Sequence, residues 1–174
     1  PLEEMLALLA AATETMLRVP GVRVAEGFMD FWRTTKRFRN SEGAAIDQTI
    51  TESGGGIAAV AVRDGEVQRR SYPASFRGDF GTGGYELVEA MDLAGHAQQT
   101  AEEAAALLVA PPCPAAVTTL ILDSDQTALQ IHESIGHAIE LDRILGMEAA
   151  YAGTSFITPG DIGSLRYGSE AMHV

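Results

Sequence analysis

The sequence predicts an α+β protein: an antiparallel sheet packed with helices, followed by a strand and a helix that carries an H-E-x-x-x-H motif. Three observations lead there. Helical periodicity opens the chain at residues 2–18 and returns at 85–109. Between them, β-branched and aromatic runs are punctuated by turn residues, with Asp64-Gly65 the strongest two-residue hairpin signal. Last, a capped run at 126–143 reads QTALQIHESIGHAIELDR.

The first helix places Leu2, Met5, Leu6, Leu9, Met16 and Leu17 at helical spacing and ends at Pro20-Gly21. Val22 to Arg39 suits a strand, with Asn40 to Gly43 as its turn. Ala44 to Glu52 alternates, setting Ile46, Gln48 and Ile50 against Asp47, Thr49 and Thr51, as a half-buried strand does. Gly54-Gly55-Gly56 reads as a turn, because no Lys-Ser/Thr follows and a strand rather than a helix comes next. Ile57 to Val62 and Val67 to Tyr72 complete a meander.

Residues 73–84, PASFRGDFGTGG, read as a long loop, a class that is often functional. Tyr85 to Val109 reads as one helix burying Leu87, Val88, Met91, Ala94, Ala101, Ala105 and Leu108, with His96 solvated. Pro111-Pro112-Cys113-Pro114 ends it and sets the expected boundary between an N-terminal α+β domain, 1–112, and a second region, 113–174. Val117 to Leu122 is an apolar strand, and Asp123-Ser124-Asp125 supply capping side chains for the helix after it. Beyond Arg143, five glycines and Pro159 predict loops and short pieces packed down by Phe156, Ile157 and Ile162.

Charge and composition exclude several classes. Twenty-four acidic against twelve basic residues give a net charge of −12, whose field repels phosphate, so no nucleic acid is expected as partner and a cation is the better guest. Arg33, Lys36, Arg37 and Arg39 cluster on one expected strand and read as an exposed face or a partner contact. The single cysteine, Cys113, rules out an internal disulfide framework and fits a reducing compartment, so a cytoplasmic location is expected. Wedged between prolines, it reads as a bystander to any metal site. No run approaches the roughly 18 apolar residues that span a bilayer, so no membrane partner is expected. A start at Pro1 and an end at Ala-Met-His-Val, without cap or polar tail, suggest a piece of a longer protein.

His132, Glu133 and His137 lie within six residues of one helical pattern. Imidazole nitrogen binds zinc, and a neighbouring carboxylate can take a proton from an activated water. In the familiar H-E-x-x-H helix a separation of four places both histidines on one face. Here the separation is five, which in a regular α-helix leaves the side chains roughly 140° apart. A π-bulge, with i to i+5 bonding, brings them back together, and Gly136 is expected to ease that distortion. Against this stands the reading of both histidines as ordinary core or surface residues. The spacing alone leaves the two open.

At these residues the sequence resembles the TldD/PmbA family of zinc metallopeptidases, historically labelled modulators of DNA gyrase, and looks like its TldD-type subunit. HESIGH fits the family's H-E-x-x-x-H helix; GTSF at 153–156 resembles the block after it, and RNSEG at 39–43 and SGGG at 53–56 resemble its N-terminal domain. The resemblance implies His132 and His137 as ligands of Zn2+, Glu133 as general base, and a third ligand, a cysteine, beyond Val174. It implies hydrolysis of peptide bonds in unfolded or short peptides, and assembly with a PmbA-type subunit or as a homo-oligomer. With two ligands only, the isolated chain is expected to hold metal poorly and to be inactive. Glu140 and Asp142 are candidates to orient a ligand imidazole, against a solvated role at a helix end.

Two other readings stand beside it. A dipeptidyl peptidase III-like enzyme shares H-E-x-x-G-H, but no E-E-x-x-A-E helix follows His137. A noncatalytic subunit or interaction module would have no need of an intact HESIGH.

Overall fold

The computed structural model describes residues 2–74 and 78–172, and the chain divides into two compact units, Pro1–Pro114 and Ala115–Val174. The first is the α+β body. Helix α1 (Leu2–Leu17) and strands β1 (Val22–Arg39), β2 (Ala45–Arg63), β3 (Glu66–Tyr72) and β4 (Asp79–Thr82) precede helices α2 (Tyr85–Met91) and α3 (Leu93–Leu107). All strand pairings are antiparallel, and β2 is central. It pairs with β1 from Val24↔Val60 to Arg39↔Ala45 along one edge. Along the other it pairs with β3 (Ile57↔Tyr72 to Arg63↔Glu66) and β4 (Glu52↔Thr82 to Gly55↔Asp79).

The triple glycine is not a turn. Gly54, Gly55 and Gly56 are buried inside β2, which runs unbroken through them. Their lack of a Cβ serves close packing. A Cβ on Gly54 would collide with the Asp79 carbonyl and the Phe80 ring, and one on Gly56 would lie 2.8 Å from the Gly78 Cα. Part of the expected 73–84 loop is accordingly strand β4; residues 75–77 of that stretch lie outside the described residues.

Burial sorts the sheet lengthwise. Ile57, Ala59 and Ala61 face the core with Ala12, Met16, Val88, Leu93, Ala97, Ala101 and Ala104. At its other end, residues 33–39 and 45–51 form a two-stranded ribbon with no third strand on either edge among the described residues. Ile46 is exposed there, so the expected half-buried strand is a strand without a covering layer. The basic cluster is likewise exposed on β1. In α1 the buried stripe runs through Leu8, Leu9, Ala12 and Met16, while Leu2, Leu6 and Leu17 face out. Helix and sheet come close at Gly27, where a Cβ would sit 3.1 Å from Leu9.

The expected long helix is broken in two at Asp92, whose backbone adopts the left-handed region (φ 48°, ψ 52°). Its carboxylate accepts from the Gly95 N–H at 3.2 Å, capping α3 as it starts. The break resets the helical phase, so Leu93 and Ala97 are buried in place of Ala94. His96 is half-buried rather than solvated, stacked on Tyr72 with ring centroids 3.9 Å apart.

Residues 110–123 carry no regular secondary structure, and in the second unit the expected strand Val117 to Leu122 does not form. Val117 and Ile121 are almost wholly exposed, and an apolar run without a pairing strand cannot satisfy its backbone as sheet. Helix α4 (Ser124–Ile131) follows, its first turn capped by Asp123, whose Oδ1 accepts from Gln126 N at 2.9 Å. A π turn (His132–Gly136), the short α5 (Leu141–Ile144) and a 3-10 turn (Pro159–Asp161) complete it. Of the three apolar residues expected to hold the tail down only Ile157 is buried; Phe156 and Ile162 are exposed. No helix among the described residues is long and apolar enough to cross a membrane.

Candidate metal centre

Helix α4 does not end at His132; it widens. The His137 N–H donates to the His132 carbonyl at 3.1 Å, five residues back, and Ile139 N returns to α spacing on Ile135 O at 3.1 Å. One π turn therefore carries the whole HESIG segment. It closes the roughly 140° gap that five residues would leave on a regular helix. The two imidazoles meet edge to face with centroids 4.2 Å apart.

Glu133 completes the group. One ligand-capable atom from each of His132, Glu133 and His137 lies within 4.8 Å of the others. Glu133 Oε1 is 4.0 Å from His132 Nε2, an ion-pair distance too long for a hydrogen bond. His132 and Glu133 are exposed, and His137 is half-buried. Two imidazole nitrogens suit zinc, and the carboxylate beside them suits a base acting on its water, so the residues present fit the ion.

Around the π turn the chain is tied by polar contacts. Glu140 Oε1 lies 2.9 Å from His137 Nδ1, and the other carboxylate oxygen, Oε2, meets Arg143 Nε. Asp142, the other candidate to orient an imidazole, instead accepts from the Arg143 backbone N–H at 2.8 Å. Ser155 donates its hydroxyl to the Ala138 carbonyl at 2.7 Å and accepts from Ile157 N at 3.0 Å, fastening the GTSF block to the end of the metal helix. Tyr167 donates its hydroxyl to the Ser134 carbonyl and stacks on Phe156 with centroids 5.7 Å apart. Between these walls and the Glu133–His137 edge lies an open cleft of about 280 Å³.

Gly136 has a different role from the one expected. Its backbone is outside the left-handed region, and a Cβ built on it meets nothing within 4 Å. The π turn therefore does not depend on glycine there. Cys113 is exposed and belongs to the first unit. Sequence reasoning missed Ser134 and Tyr167 as parts of the site. Neither sits in a periodic pattern, and Tyr167 reaches the helix only through the folding of a glycine-rich segment. Ser155 was foreshadowed by the GTSF block alone.

The model of the PmbA/TldA metallopeptidase central domain matches residues 1–110, the α+β body without the HESIGH helix. A protein of Methanothermobacter thermautotrophicus named Metalloprotease is 34% identical over 112 residues, which cover 64% of this chain and 24% of that protein. A metalloprotease of Methanocaldococcus jannaschii is 30% identical over 149 residues, covering 78% of this chain and 32% of that protein. The chain thus spans about a quarter to a third of the curated relatives it matches. No solved structure matches it.

Proposed function

The chain belongs to the PmbA/TldA metallopeptidase family, and from that premise we propose that it contributes two ligands and the general base of a zinc centre that hydrolyses peptide bonds in unfolded or short peptides. The observation that carries this reading is the π turn. It sets His132 and His137 against each other beside a carboxylate.

His132 and His137 hold the ion through ring nitrogens, with a third ligand, a cysteine, supplied from outside these residues. The ion, when bound, supplies Lewis acidity that lowers the pKa of water toward about 7 and polarises a carbonyl. Glu133, whose oxygen groups with the two imidazoles, takes the proton from the attacking water and passes it to the leaving amine. The cleft between Glu133, Thr154, Phe156 and Tyr167 receives the peptide, its aromatic wall excluding water from one side of the reacting bond. The strongly acidic charge keeps nucleic acid out of this account. Assembly with a PmbA-type subunit or a second copy is supported by the exposed β1–β2 ribbon, basic in an otherwise acidic chain. A cytoplasmic setting agrees with the single cysteine.

The test is Glu133→Ala in the full-length protein. Hydrolysis of unstructured peptides is lost while zinc content stays near that of the parent. Retained turnover would remove Glu133 from the role of base.

A further inference from the structure

The geometry points to Glu140 as the positioning residue that fixes His137 in one tautomer, with Arg143 holding the carboxylate in place. This inference rests on the metal-centre reading above and names which nitrogen of His137 is offered to the ion.

The step from geometry to tautomer is chemical. An ionised carboxylate only accepts hydrogen bonds, so a neutral imidazole facing it at 2.9 Å must donate, and the atom that faces Glu140 Oε1 is Nδ1. Nδ1 therefore carries the proton and Nε2 keeps its lone pair. Free imidazole side chains in water favour the opposite tautomer, with the proton on Nε2, so the carboxylate selects the minor form. Arg143 supports the selection by its charge. Its Nε forms an ion pair with Glu140 Oε2 without hydrogen-bond geometry, keeping a cation beside the carboxylate while Oε1 faces the ring. The three side chains are all partly shielded: those of His137, Glu140 and Arg143 are 26%, 39% and 20% exposed.

The backbone supports the same arrangement. Glu140 is extended (φ −62°, ψ 118°) at the start of α5, so its side chain turns back toward His137 instead of following the helix outward. Ser155 N donates to the Arg143 carbonyl at 3.3 Å, tying α5 to the GTSF block. His132 has no such carboxylate on its ring among the described residues, its nearest being Glu133 at 4.0 Å. The two ligands are thus unequal: His137 is pre-oriented, and His132 is ordered by the ion. Partners of this kind on ligand histidines typically change metal affinity by about 10- to 100-fold.

The test uses the full-length protein labelled with 15N on histidine, the His137 ring being assigned by its absence from His137→Ala. At about pH 8, above the ordinary histidine range, two-bond proton–nitrogen spectra of the metal-free protein assign each ring's tautomer. Zn2+ affinity is then read by competition with a chromophoric chelator. In the parent, His137 shows the Nδ1–H form. In Glu140→Ala it shifts to the solution-like Nε2–H form, and Zn2+ affinity falls at least tenfold. Glu140→Gln keeps an acceptor oxygen and retains the Nδ1–H form with a smaller loss of affinity. Asp142→Asn leaves both readouts unchanged. If Glu140→Ala keeps the Nδ1–H tautomer and parental affinity, the inference is overturned; should that variant fail to fold, a parental affinity together with a solution-like tautomer in Glu140→Gln overturns it instead. Failure of the metal reading looks different, because His132→Ala and His137→Ala would then leave Zn2+ affinity where it was.

Discussion

The backbone N–H of His137 donates to the carbonyl of His132 at 3.1 Å, and this single five-residue hydrogen bond turns a mis-spaced histidine pair into a facing one. An α-helical bond at this point would send the two rings to different sides of the helix. The distortion is confined to one turn, since α spacing resumes at Ile139. Gly136 lies within it but faces open space with ordinary backbone angles.

Gly136→Ala should therefore be tolerated by the fold. Alanine is favoured over glycine in helical backbone by about 1 kcal/mol, so urea unfolding should show unchanged or slightly higher stability. A loss of more than about 1 kcal/mol would show that the widened turn depends on glycine after all.

Ser155→Ala removes the hydroxyl that donates to Ala138 O and accepts from Ile157 N. Each such bond contributes on the order of 1 kcal/mol when half-buried, and with both removed the second unit should lose about 1–2 kcal/mol in denaturant unfolding. The amide of Ile157, which donates to this hydroxyl, should exchange faster with solvent. Unaltered exchange there would contradict the fastening role of the GTSF block.

Asp92 tests the fold of the first unit. At φ 48° a β-branched side chain is strained, and Asp92→Val also removes the cap on Gly95 N. A destabilisation of about 2 kcal/mol is expected, combining lost capping with left-handed strain. Asp92→Asn, which tolerates that backbone and keeps an acceptor, should cost much less. Equal effects from the two would place the helix break elsewhere.

Asp161 gives a pH-dependent prediction. The Thr158 hydroxyl, and after it the Thr158 backbone N–H, donate to its carboxylate and hold its pKa below the usual aspartate range. Because the folded pKa is depressed, the contribution of this capping box is present above the unfolded value. It is lost as pH falls through the folded one. The carboxyl carbon of Asp161 should titrate below the ordinary value near about 3.9, and Thr158→Val should move the midpoint up. A parental midpoint at or above the ordinary value would refute this.

The sequence announced the kinds of element more readily than their limits. The α+β class, the Asp64-Gly65 hairpin and the widened turn at HESIGH all follow from local periodicity and spacing, because each depends on neighbours in sequence. What escaped depends on neighbours in space. Gly54 to Gly56 punctuate a sequence as a turn does, yet here they admit β4 and the strand before it at close range. Asp92 looks like any polar residue on a helix face until its backbone turns left-handed. Val117 to Leu122 has the composition of a strand but no partner among the described residues, and strand structure requires one. At the candidate site, the grouping of His132, Glu133 and His137 was open to expectation from the motif, whereas Tyr167 reaches Ser134 from 33 positions away with no signal to mark it.

The central claim is that His132 and His137 act together as ligands, and metal content tests it most directly. Zinc is measured by mass spectrometry in the full-length protein and in His132→Ala, His137→Ala and Glu133→Ala purified alike. The account predicts stoichiometric zinc in the parent and in Glu133→Ala, and loss of most of it in each histidine variant. Parental zinc content in both histidine variants would contradict it.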